Sequence, residues 1–320
     1  MGKKIRVWLI VAVSLLLTGG ILFTVSMSSL GWDFAKLSTA KHQTNKHTVS
    51  EDFDSISIYT QEADIRLAVA ENGECRVECF EKESVPHSVK VEDGKLIIAA
   101  VDNSKWYENF LDFERETITV YLPQREYTLL SIRNLTGDVE VSKDFSFGSV
   151  QVSATTGDIR WFSSVSGRMA LNTTTGDIII ENISAGSMSL TVSTGQVHAM
   201  GVNCADVVNV QVSTGDVYLT NAACKNFVSG GSTGDITLKN VRAVERLSIE
   251  RGTGDVRFDG CDGGEIVVKT GTGDVSGTLL SAKDFITETG TGSVNVPQSS
   301  SGGKCQIKTG TGDIHIRVLG

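Results

Sequence analysis

Proline is almost missing from this 320-residue chain, which holds only Pro86, Pro123 and Pro297. Helix-forming runs of Leu, Ala, Glu and Lys are scarce in the C-terminal two thirds, where Val, Ile and Thr crowd beside abundant Gly. That balance excludes an ordinary mixed globule and points to an all-β chain. Cysteine is sparse too: Cys75, Cys79, Cys204, Cys224, Cys261 and Cys305 are too few for a disulfide scaffold of this length and read as buried thiols. The five histidines are His42, His47, His87, His198 and His315. None stands in a motif with a nucleophile, and neither Gly-x-Ser-x-Gly nor His-Glu-x-x-His occurs. An excess of positive charge is also lacking. The 38 acids face 29 Lys and Arg, three of which (Lys3, Lys4, Arg6) sit at the N-terminus. The remaining surface should repel nucleic acid and anionic lipid.

One long apolar run is present. Val7–Met27, "VWLIVAVSLLLTGGILFTVSM", carries no charge and is long enough to cross ~30 Å of hydrocarbon as a helix. Lys3, Lys4 and Arg6 before it place residues 1–6 in the cytoplasm and the bulk outside, a single-pass cell-membrane topology. A cleaved signal peptide is the alternative, but no small-x-small site closes the run.

The dominant feature is a repeat. Thr-Gly recurs at Thr136, Thr156, Thr175, Thr194, Thr214, Thr233, Thr253, Thr272, Thr291 and Thr311, at intervals of 19 or 20 residues. With each Thr as position zero, +3 is always Val or Ile and −6 is always apolar, from Leu130 to Cys305. Position −4 is apolar except at Ser229 and Thr287. Spacing of two is the strand period, so each unit is a pair of short strands about a Thr-Gly corner. Such a unit cannot bury its apolar face alone, whereas stacked units close a continuous core. The expected fold is therefore a parallel β-solenoid of about ten coils, each stacked on the one before at ~4.8 Å. The permissive corner residues are Gly137, Gly157, Gly176, Gly195, Gly215, Gly234, Gly254, Gly273, Gly292 and Gly312. The one-residue variation is assigned to the opposite corner, near +8 to +11.

The expected organisation is a cytoplasmic tail (1–6), a membrane anchor (7–27), a tether (28–46), an N-terminal β/cap region (47–123) and the solenoid (124–320). In the cap region "TQEADIRL" reads as a degenerate repeat with Asp64 in the Asp position. "SVKVEDGKLIIAA" reads as a hairpin turning at Asp93-Gly94, and "ETITVYLP" as a strand stopped by proline. Trp106, Tyr107, Phe110 and Phe113 read as aromatics covering the open end of the solenoid, with a sticky binding patch as the alternative.

An N-terminal β region, then "ITVYLP", "LLSIRNLTGDVEV" and a ladder of Thr-Gly-Asp-Val/Ile units over residues 50–320, resembles the bacterial putative-adhesin family of β-strand-repeat proteins, a domain family of unknown function. The resemblance implies a β-solenoid on a membrane-anchored surface or envelope protein, and it carries no catalytic residues.

Position +2 is Asp in eight units, with Gln196 and Ser293 as exceptions. Outward carboxylates ~4.8 Å apart should repel, so each is read as capping the N–H groups of its own corner. A calcium column at Asp216, Asp235, Asp255 and Asp274 is the alternative, but one carboxylate per coil is far from six to eight converging oxygens. Cys204 and Cys224 share offset +10 in adjacent coils and should stack, as thiols or as a disulfide. No cofactor is called for. Uniform spacing leaves no loops to wall a cleft, which argues against an enzyme of the polysaccharide-active β-helix type. A non-catalytic binding or adhesin-like protein is the leading expectation, and an envelope-condition sensor acting through a membrane partner the alternative. Its partners would be the membrane and a surface glycan, cell wall or another envelope protein. The last coil, "GTGDIHIRVLG", is expected to leave an edge open to end-to-end self-association.

Overall fold

The computed structural model describes residues 2–33, 40–101, 114–298 and 302–319. Helix α1 spans Lys3–Ser29. Its segment Ile5–Ser29 has a mean hydropathy of 2.3, is exposed along nearly its whole length except at Met27, and is long and apolar enough to cross a membrane. Strands make up the rest of the regular structure among the described residues and 69% of them.

Six strands precede the repeats: β1 (His42–Val49), β2 (Ser55–Val69), β3 (Cys75–Lys82), β4 (His87–Glu92), β5 (Lys95–Ala100) and β6 (Glu116–Leu122). β1 thus begins inside the segment expected as tether. The aromatic segment Trp106–Phe113 lies outside the described residues. β2 is a full coil in its own right. One edge pairs in parallel with the first Thr-Gly unit (Ile56 with Leu130, Ile65 with Val139), and Asp64 stands in the Asp column as expected. The other edge pairs with β5 and β6, which together form one further parallel level. Beyond them the direction reverses: β3 lies antiparallel to β6, β1 to β3, and β4 to β5 through the turn at Asp93-Gly94.

The ten Thr-Gly units then stack with Thr opposite Thr, giving a parallel β-solenoid of about nine turns. Stacking follows the chain only as far as unit eight (Thr272). Among the described residues, unit nine (Lys283–Thr291, Val294–Asn295) forms no strand pairing with unit eight; unit ten (Gly303–Thr311, Ile314–Val318) pairs between them, although the Lys283 side chain reaches across to Asp262 and Gly263 at 2.7 Å. Val268 pairs with Ile307 on one side, and Thr287 pairs with the same residue on the other. The expectation that every coil stacks on its predecessor is therefore corrected at the last two coils. Units eight, nine and ten carry the same columns, so the spacing cannot tell which neighbour each will take.

The inward residues are chiefly the −6, −4 and −2 columns and the +3 and +5 columns, joined in units three to seven by the +8 and +10 columns. The second corner sits at +7, one residue before the range expected from the sequence, where Asn182, Gly201, Asn221, Asn240 and Gly260 all have φ between 52° and 67°. Asn tolerates that left-handed conformation better than other side chains, and Asn240 donates to Asn221 one coil away at 3.0 Å. The variation between 19 and 20 residues is absorbed just beyond, in bulges such as those after Cys224 and Ala243. Nearest the cap the core widens around Phe53, Tyr127, Phe145, Phe147 and Trp161, whose ring centroids lie 5.6–6.5 Å apart.

Candidate functional site

The Thr-Gly-Asp corner is the surface feature repeated most often, so it is the first candidate. All ten corner glycines have positive φ, from 125° to 147°. Gly273 shows why no other residue serves: a Cβ there would collide with the carbonyl of Gly254 in the coil stacked on it. The corner N–H groups are satisfied by stacking. Gly273 donates to Thr311 at 2.9 Å and Val275 to Asp313 at 2.9 Å. The N–H of the Asp itself points the other way and needs a different acceptor.

That acceptor is the carboxylate of the previous level. Asp138 N–H donates to Asp64 Oδ1 at 2.9 Å, Asp255 to Asp235 at 2.8 Å and Asp313 to Asp274 at 2.7 Å. The expectation that each carboxylate caps its own corner is corrected: each caps the coil stacked beyond it. Ser293, in the last level, donates its N–H to Asp313 Oδ1 and has no carboxylate to pass on.

The second oxygens of Asp138, Asp158, Asp216 and Asp255 meet side chains at position +4. Arg160 bridges Asp138 at 3.1 Å and Asp158 at 2.7 Å, and Arg257 binds Asp255 at 2.9 Å. Tyr218 donates to Asp216 at 3.0 Å and stacks on His198 with centroids 4.6 Å apart. Because these rings stack along the rod, they show edges rather than faces to a ligand. At the Asp216, Asp235, Asp255 and Asp274 column, Oδ1 of every member accepts a backbone N–H. Among the described residues, the one group of three or more His, Cys, Asp and Glu ligand atoms within 4.8 Å of one another lies elsewhere, in the cap: Cys79, Glu81 and His87.

That cap cluster is closed on itself. Glu81 Oε2 accepts from the His87 N–H at 2.8 Å and meets Nδ1 at 2.6 Å, while Oε1 accepts from Asn45 at 2.5 Å. His87 Nε2 lies 3.0 Å from Thr60 Oγ1. Burial alone would raise the Glu81 pKa, but the His87 and Asn45 hydrogen bonds outweigh it and hold Glu81 below the usual range. Burial pushes the Cys79 thiol up to about 12, far from the thiolate that a metal needs. Beside the cluster, Lys82 binds Glu62 at 2.9 Å and Glu116 at 3.0 Å. A pocket of about 260 Å³ opens over Glu62, Asp64, Glu116 and Asp138. Its carboxylates are engaged by Lys82, by His42 and by the corner ladder.

Cys204 and Cys224 each follow a paired position in adjacent coils, Asn203 opposite Ala223, and all six cysteines are buried free thiols. Desolvation raises the Cys224 pKa to about 12. Sequence reasoning missed the cap network, because Asn45, Glu81 and His87 come from β1, β3 and β4, which pair antiparallel outside the repeat and meet Thr60 of β2 only in the fold.

Solved structures are similar to this chain at low identity. A putative adhesin from Parabacteroides merdae is 11% identical, with a TM-score of 0.50 over 87% of this chain and 96% of the other. A putative lipid binding protein from Parabacteroides distasonis is 15% identical, with a TM-score of 0.49 over 88% of this chain and 97% of the other. A putative adhesin from Bacteroides fragilis is 17% identical, with a TM-score of 0.40 over 87% and 97%. No curated protein matches the chain. A family model described as Toastrack DUF4097 matches residues 53–207 and 202–320.

Proposed function

The chain belongs to the Toastrack DUF4097 family, and from that premise we propose that it is a membrane-anchored, non-catalytic surface protein whose solenoid is a rigid display for binding outside the cell. The observation that carries this reading is the corner ladder. Its carboxylates are spent on the backbone of the neighbouring coil, so the repeated polar motif builds the rod instead of a reaction centre. Coils of 19 or 20 residues leave no long loops to wall a cleft of the kind catalysis requires. The apolar run of helix α1 supplies the anchor, and Lys3, Lys4 and Arg6 at its N-terminal end favour a cytoplasmic N-terminus. A surface glycan, the cell wall or another envelope protein would meet the outward +2 and +4 columns.

Protease shaving of intact cells tests the topology, using a chain tagged at both ends. The expected result is loss of the C-terminal tag with the N-terminal tag retained in the membrane fraction. A mature protein that begins after α1, or a C-terminal tag protected in intact cells, would sink the anchored reading.

A further inference from the structure

The solenoid ends on unit nine, not on the last coil of the chain. Val294 occupies the +3 column there. Every other member of that column is 0–1% exposed, whereas Val294 is 44% exposed. Ile286 on the same edge is 50% exposed, and Phe285 is only half-buried. Among the described residues, the outer edge of Lys283–Thr291 and Val294–Asn295 pairs with no strand. A core column and its backbone ladder are therefore both left open at this tip, a template for another edge.

We propose that this tip docks edge to edge with the same tip of a second copy, antiparallel about a two-fold axis. At each level except the break at Gln196, an Asp carboxylate caps the N–H of the next; Ser293 receives that bond from Asp313 and carries no carboxylate onward. A further parallel coil would stack there without that cap, as the Asp216 level does on Gln196. The same Ser spares a two-fold contact from setting two carboxylates against each other. Head-to-tail growth would need the opposite end, which β1, β3 and β4 already cover. A two-fold contact closes on itself and yields a dimer, not a filament.

β1 follows α1 in the chain and lies at the other end of the ladder from unit nine. If the anchoring proposed above holds, tip-to-tip pairing joins chains rooted in two facing membranes. This last step rests on that reading; the pairing itself does not.

The test uses the full chain, first in detergent micelles by light scattering. A dimer is expected, weakened about tenfold or more by Ile286→Lys and strengthened by salt, because Asp284 and Glu288 flank the edge. Ile286→Cys should trap a disulfide-linked dimer on oxidation, whereas Ser276→Cys, in unit eight, should not. A monomer at the highest attainable concentration, a dimer indifferent to Ile286→Lys, or a series of higher oligomers overturns the pairing. Reconstituted in phosphatidylcholine vesicles, the wild-type chain should cluster them and Ile286→Lys should not. Vesicles that carry the chain on flotation but fail to cluster overturn the bridging step. Failure to float overturns the anchor and leaves the dimer to be judged in micelles.

Discussion

The two ends of the rod finish the same ladder by opposite means. At the cap, the chain reverses direction, lays antiparallel strands over the last parallel level, and buries a satisfied Asn45–Glu81–His87–Thr60 network. At the tip, the chain keeps its parallel direction but overshoots one level and then fills the gap with unit ten. The cap hides its edge under new structure. The tip secures its last coils by interleaving and leaves the edge bare. A repeat supplies a core along its length but no rule for stopping, so each terminus needs a local departure from the repeat.

The difference in packing should be largest in the aromatic cluster near the cap. Trp161 is 0% exposed and packs on Phe147. Trp161→Ala is expected to cost about 3–5 kcal/mol by chemical denaturation, whereas Phe285→Ala, half-buried at the tip, should cost far less when measured at concentrations too low for copies to pair. Equal losses under those conditions would mean that the tip is packed within the single chain. Next in size is Ile307→Ala in unit ten, about 2–5 kcal/mol from the cavity alone. Unit nine pairs only with unit ten, so hydrogen exchange should show both units opening together while units one to seven stay protected. If unit nine kept its protection, the interleaved order would be wrong.

The sequence made the regular part legible and the endings illegible. A side chain facing inward at fixed offset repeats ten times, so the +3 column and the Gly corners could be read directly. Asp64 could be placed in the ladder although its Gly is missing. The order of the last two coils could not. Ile266 pairs with Cys305, and Phe285 pairs with the same residue from the other side; all three hold the −6 column, and any of them fits any slot. The hints were departures from the columns: Ser293 where Asp is usual, Thr287 where an apolar residue is usual, and the Ser-rich stretch after Pro297. The recipient of each carboxylate was misassigned for a related reason. Spacing fixes that Asp lies outside, but not which way its N–H points.

The cap also carries the sharper dependence on pH. Glu81 has a folded pKa below its unfolded value, so it contributes stability above the ordinary carboxylate range of about 4.3 and loses it as pH falls through the folded value. Glu81→Gln should therefore cost about 1–3 kcal/mol at neutral pH and flatten the acid limb of cap unfolding, followed by exchange at β1 and β3. An acid limb unchanged by the substitution would remove Glu81 from that role. Along the shaft, Asp235→Ala takes away one acceptor, that of Asp255 N–H. The expected cost is about 1 kcal/mol, read as a lowered Tm, with no change in exchange at the cap. A wild-type Tm would show that solvent satisfies the corner as well as the carboxylate does.

The smallest effect expected is that of chelation. A bound cation would stabilise the rod by mass action, and removing it would lower Tm. At Asp216, Asp235, Asp255 and Asp274, one oxygen of each carboxylate already accepts a backbone N–H. The outer oxygens of Asp216 and Asp255 bind Tyr218 and Arg257. Each level then offers at most one further oxygen, and levels ~4.8 Å apart cannot gather the six to eight ligands that calcium takes at 2.3–2.6 Å. The cap triad of Cys79, Glu81 and His87 could take a metal only by breaking the Glu81–His87 bond and ionising a thiol pushed up to about 12. EDTA should leave the melting of both ends unchanged. A drop in Tm restored by calcium would return the Asp column to the status of a ligand site, and one restored by zinc and confined to β1–β6 would do the same for the cap.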